Sequence, residues 1–128
     1  QLKKFNYILR ENKKRYDILY KKIKKYAEIR QIPIKSTPIY DTFIFEPKKN
    51  KNKIIKYLNS IGVGTKNLPD AIRWHCSYFW RHALDKKNIK NSLTTKLKLQ
   101  KKISIPILLK QSPSKYNKVA NRIADLLK

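Results

Sequence analysis

Gly62–Leu84 reads GVGTKNLPDAIRWHCSYFWRHAL. This stretch holds both glycines of the 128-residue chain, both histidines, the one cysteine and both tryptophans, while the remainder is dominated by Lys, Ile and Asn. The residue types that make turns, titrate near neutrality and stack are therefore gathered in one place. Gly62 stands where a left-handed C-cap would end a preceding helix. Val63 to Lys66 then reads as a short strand, and Asp70 is placed to cap the start of a helix running to about Leu84. Helix, glycine turn, strand and helix form one unit of an alternating chain, and the segments on either side decide whether the alternation continues.

On the N-terminal side, residues 51–61 supply the helix that Gly62 ends, with Ile54, Ile55, Leu58 and Ile61 on one face. Before it, Glu46-Pro47 and KKNKNK make a polar turn. Ile39–Phe45 (IYDTFIF) is short and rich in β-branched and aromatic residues, which predicts a strand buried on both faces. Pro33 and Pro38 bracket a connection, because the residue before a proline is pushed out of the helical region. Residues 1 to about 28 read as one long amphipathic helix: Leu2, Phe5, Leu9, Asn12, Tyr16, Leu19, Ile23 and Tyr26 fall at spacings of three and four, interrupted only by Asn12. Such a basic helix packs on a core or lies against a membrane or partner, and packing is the commoner outcome.

On the C-terminal side, residues 85–101 (DKKNIKNSLTTKLKLQK) are polar and weakly patterned and read as a loop with at most a helical turn. Lys102–Leu108 (KISIPIL) alternates at its start and predicts a strand, with Pro106 placing it at a sheet edge or ending its pairing. Ser112 as N-cap and Pro113 as first helical residue open a last helix that buries Tyr116, Val119, Ala120, Ile123, Leu126 and Leu127. No internal repeat is present. The order helix, strand, helix, strand, helix, loop, strand, helix predicts a small sheet covered by helices, an α/β or α+β layer structure.

Composition bounds the function. The length suits one domain able to bury a core without disulfides, and Cys76 alone allows no internal disulfide. No apolar run approaches the roughly 20 residues that span a bilayer, and no signal peptide is recognisable; the expected location is the cytoplasm. The absence of methionine leads us to expect a piece of a longer chain. The formal net charge of +24 implies a polyanionic partner on its face. Lysine, however, supplies 26 of the 32 basic residues, whereas phosphate and base readers favour the bidentate fork of arginine. Heavy use of Lys, Ile and Asn matches an AT-rich coding sequence, in which exposed positions drift to Lys and Asn.

Standard chemical sites are tested by spacing. Two glycines make no phosphate loop. His75, Cys76 and His82 cannot close a tetrahedral zinc site, and two histidines seven apart on a helix lie two turns from each other, so no metal is expected. Cys76 beside His75 is a poor thiol catalyst, since adjacent helical residues point about 100° apart. Trp74, Tyr78, Phe79 and Trp80 between Arg73 and Arg81 form either a base-stacking platform or an aromatic face packed on a sheet.

Taken together, these phrases resemble the C-terminal domain of the DegT family of pyridoxal-phosphate-dependent sugar aminotransferases, which have the fold-type I architecture. The resemblance lies in QLKKFNYILREN at the head of a long helix, in the glycine phrase Gly62, Val63, Gly64 and Thr65 after the helix from Lys51, in KNLPDAIRWH over Lys66–His75, and in KISIPIL with the helix from Ser112. Lys66–His75 is most similar to the branch that aminates a keto-octulosonate of lipopolysaccharide. The resemblance covers essentially the whole chain and is most specific over Gly62–His75. It implies residues 1–30 as a linking helix from a large domain and residues 31–128 as the small domain.

What the resemblance implies is an intact homodimer that moves an amino group from a donor such as glutamate to a keto-sugar. The lysine that forms the Schiff base with pyridoxal phosphate, and the acid facing its ring nitrogen, belong to the large domain, and nothing here matches either. No residue of this chain is therefore expected to be catalytic. Lys66, Asn67, Arg73 and His75 are the expected substrate contacts, with Gly62 and Gly64 providing backbone turns and Trp74 and Trp80 stacking or packing. The alternative is a stand-alone basic nucleic-acid-binding module, which the lysine-dominated composition disfavours.

Overall fold

The computed structural model describes residues 2–64, 72–73 and 76–128. A 3-10 turn at Leu2–Lys4 leads into α1 (Phe5–Ile23), followed by β1 (Ala27–Ile29), β2 (Thr42–Pro47) and α2 (Lys51–Ser60). A 3-10 turn at Ser77–Phe79 precedes α3 (Lys86–Asn91) and α4 (Leu93–Lys101), and β3 (Ile103–Pro106) and α5 (Pro113–Leu127) close the chain. The three strands form one antiparallel sheet in the order β1-β2-β3. The fold is thus α+β, the second of the two layer forms expected.

The core lies between the sheet, α1 and α5. Phe43 and Phe45 on β2 stand opposite Ile105 and Ile103 on β3, so four apolar side chains share one face. All four are fully buried, with Leu19 and Ile23 of α1 and Val119, Ala120 and Ile123 of α5 packed in the same cluster. Burial of each of the larger side chains contributes about 1.5–3 kcal/mol. Ile54 and Leu58 bring the inner face of α2 to it. Tyr116 replaces a missing ladder bond at the end of β3: its hydroxyl donates to the carbonyl of Pro106 at 3.0 Å and accepts from the amide of Leu108 at 2.8 Å. The helix α5 starts as expected, with the Ser112 hydroxyl accepting from the Lys115 amide and Pro113 in the first turn.

Two polar residues of α1 are buried. Asn12, the interruption in the apolar stripe, donates through Nδ2 to the carbonyl of Ile39 at 3.0 Å, while its Oδ1 has no partner. Arg15 donates to the carbonyls of Gln111 (2.9 Å), Leu109 (3.2 Å) and Glu11 (2.7 Å), and pairs with the Glu11 carboxylate at 3.2 Å. The guanidinium therefore ties α1 to the connection between β3 and α5, where helix and strand ends leave carbonyls to be satisfied.

Several expectations are corrected. The first helix ends at Ile23 rather than near residue 28, because Ala27–Ile29 pairs with Phe45–Pro47 and residues 24–26 must turn. The first predicted strand starts at Thr42, not Ile39: Tyr40 sits at φ +55°, outside the extended region. Only Phe43 and Phe45 of it are fully buried, so one face carries the core. The helix expected up to Leu84 is not continuous, since Cys76 is extended (φ −91°, ψ 119°) and a 3-10 turn follows. Residues 85–101 are not a loop; they form α3 and α4. The strand expected over Val63–Lys66 falls partly outside the described residues, and Val63 and Gly64 are in no strand.

Candidate functional site

α2 ends in a double turn. Gly62 (φ +68°) and Gly64 (φ +72°) both occupy the left-handed region, with Val63 buried between them. The amides of Val63 and Gly64 both donate to the carbonyl of Leu58 at 3.1 Å, satisfying a helix-end acceptor. A Cβ at either glycine would meet nothing within 4 Å. Glycine is required here by the dihedral rather than by space. Val63 in the core and Leu58 beneath it fix where the chain departs toward residue 65.

Lys66, Asn67 and His75, with Trp74, lie outside the described residues. Arg73 is exposed and lines a groove of about 320 Å³ beside the start of α2, with Lys51, Ile55, Phe79 and Gln100. Lys51 is partly buried there and its ammonium donates to the carbonyl of Gln100. Burial pushes the Lys51 amine below its ordinary pKa, with Glu46 working in the opposite direction. Arg73 and Lys51 thus bring two cations to one apolar-floored groove, a setting that accepts a carboxylate or phosphate. Lys51 and Gln100 were not foreseen: the first read only as the start of a helix and the second as part of a loop.

The remaining rare residues separate. His82 is exposed, Trp80 is 39% exposed, and Cys76 is a buried free thiol. Tyr78 and Phe79 meet edge to face at 5.2 Å, and the ammonium of Lys96 lies 4.1 Å from the Tyr78 ring centre and 5.3 Å from that of Phe79. Two of the four rings of the possible stacking platform, Tyr78 and Phe79, are thus already engaged by a lysine of α4. Among the described residues, no group of three or more His, Cys, Asp or Glu is placed to hold a metal ion.

Pyridoxal phosphate requires a lysine amine for its aldehyde and an acid against its ring nitrogen. The groove supplies the partly buried Lys51, one of whose three ammonium donors goes to the Gln100 carbonyl. Glu46, the carboxylate acting on it, pairs with Lys102 at 3.5 Å. These residues do not fit the cofactor by themselves; they fit an anionic group of a smaller ligand. No family model matches the chain, and no curated protein matches it.

Proposed function

We propose that this chain is the small domain of a pyridoxal-phosphate-dependent sugar aminotransferase of the DegT type, with the fold-type I architecture. It closes over a keto-sugar or keto-octulosonate and an amino-acid donor such as glutamate, in a cytoplasmic homodimer that serves surface polysaccharide synthesis. The cofactor is held mainly by a large domain outside residues 1–128, which also supplies the reactive lysine. In this reading Lys66, Asn67 and His75 contact the substrate, and Arg73 with Lys51 receives its carboxylate.

The observation that carries the reading is the turn at Gly62–Gly64. The most specific phrase of the resemblance coincides with two left-handed glycines flanking a buried valine at the end of α2, on an antiparallel sheet covered by a long first helix and a last helix. Such a turn ends α2 on a rigid base, and a substrate-facing segment requires one. The coding sequence ahead of Gln1 tests the proposal. The expected result is a continuous reading frame encoding a large α/β domain with a lysine at the end of a strand or loop. A stop codon, or an unrelated domain, would overturn it.

A further inference from the structure

A second groove, of about 460 Å³, lies between the segment 77–84 and the corner where α3 meets α4. Tyr78, Leu84, Ile89 and Leu93 form its apolar lining, and Arg81, Lys86 and Lys90 complete it. The proposed function uses none of these residues. Neither α3 nor α4 buries a residue, and Leu93 and Leu97, one turn apart on α4, are 38% and 49% exposed. Exposed apolar side chains gathered around a recess mark an interaction site.

The walls of the groove are tied together. The Ser77 and Ser92 hydroxyls hydrogen-bond at 2.8 Å, which joins the 3-10 turn to the α3–α4 corner. The Ser92 hydroxyl also donates to the Asn88 carbonyl at 3.0 Å, and Asp85 accepts from the Asn88 amide at 2.8 Å where α3 begins. Lys96 reaches back over the Tyr78 ring at 4.1 Å. That ring is covered, so the apolar surface left to a ligand is the aliphatic set Leu84, Ile89 and Leu93, all three partly or well exposed.

Every charged residue of the lining is a cation. Among the described residues no carboxylate pairs with Arg81, Lys86 or Lys90. Residues 76–101 hold seven lysines and arginines against one carboxylate, Asp85, and both oxygens of Asp85 accept from Asn88. Lys86 stands in the first turn of α3, where a cation opposes the helix dipole and does nothing for the helix itself. Lys86 and Lys90 lie one turn apart on α3, while Arg81 comes from the segment before it, so two elements bring cations to one aliphatic recess. A nucleic acid requires open aromatic faces for stacking, and a bilayer requires apolar residues that protrude rather than line a hollow. An apolar side chain with carboxylates on either side matches the recess in both shape and charge. We infer that the Leu84–Ile89–Leu93 groove docks an acidic peptide segment: a leucine-like side chain seats on the three aliphatic residues, and Asp and Glu carboxylates take charge-assisted bonds from Arg81, Lys86 and Lys90.

Fluorescence anisotropy of the full chain tests this at a fixed ionic strength of about 0.15 M. The probe is a labelled synthetic peptide of about twelve residues, built of Asp and Glu with two leucines one helical turn apart, compared with the same peptide carrying alanines in their place. No cofactor or transfer activity is involved, so the outcome is independent of the aminotransferase reading. The expected result is saturable binding, roughly tenfold tighter for the leucine peptide. Leu93→Asp should remove that preference, and Lys86→Gln with Lys90→Gln should weaken binding of the leucine peptide about tenfold. Lys115→Gln with Lys118→Gln on α5 should change it by less than about twofold. None of these positions is in the core, so circular dichroism should show every variant folded. Equal affinity for the two peptides, no saturation, an unchanged preference in Leu93→Asp, or equal effects of the two lysine pairs would overturn the inference. So would loss of binding to phosphatidylglycerol vesicles or to oligothymidylate in Leu93→Asp with peptide binding spared, which would assign the groove to a bilayer or a nucleic acid.

Discussion

Arg15 shows how a basic residue in a lysine-rich chain can be structural. Its guanidinium spends its donors on three carbonyls and the Glu11 carboxylate, so truncation would leave buried acceptors without partners. Arg15→Ala should destabilise the fold by about 3 kcal/mol, read as a shift in urea midpoint. Glu11 makes the system pH-dependent. Hydrogen bonds from Lys14 and then Arg15 hold its carboxyl below the ordinary 4.5, against the opposing effect of burial. A carboxylate with a depressed folded pKa contributes stability that is fully present above its unfolded pKa and lost as pH falls through the folded one. The acid limb of the urea midpoint below pH 4.5 should therefore flatten in Glu11→Gln. Arg15 falls off the apolar stripe of α1, and a side chain reaching main-chain carbonyls 94 and 96 residues away leaves no mark in local spacing.

At the scale of elements, legibility followed burial. α5 was readable because Ser112 and Pro113 mark its start and a clear stripe meets the sheet, although Ala124 is buried and Leu126 only partly so. β1 was missed because three residues, Ala27–Ile29, extend the periodicity of α1 and acquire strand geometry only by pairing with β2. The region after Gly62 misled because WHCSYFW has the apolar density of a helix, while buried Cys76 adopts an extended backbone. α3 and α4 bury no residue, so their sequences carry no stripe to read. Their order rests on local features, such as Asp85 accepting from the Asn88 amide and Ser92 linking both to Asn88 and to Ser77. Elements with little burial open at low free energy. Amides of residues 86–101 should exchange with deuterium well before those of α1 and α5, as measured by hydrogen-exchange mass spectrometry; equal protection would contradict this picture.

For the whole molecule, the sheet, α1 and α5 form a base from which the Gly62–Gly64 turn sends out the segment that resembles a substrate loop. Several substrate contacts expected in that segment, Lys66, Asn67 and His75, lie outside the described residues, so there the site remains a reading of sequence. Arg73 gains a structural setting beside Lys51. No helix of the described residues is long and apolar enough to cross a membrane, and most of the positive charge sits on exposed lysines rather than in a single cleft. The proposed function has this chain close over the substrate while the reactive lysine lies elsewhere. Borohydride reduction of the intact gene product with bound pyridoxal phosphate, followed by peptide mass mapping, tests it most directly. The account predicts one pyridoxyl-labelled lysine, outside residues 1–128. A label on any of the 26 lysines of this chain, or no label at all, would contradict it.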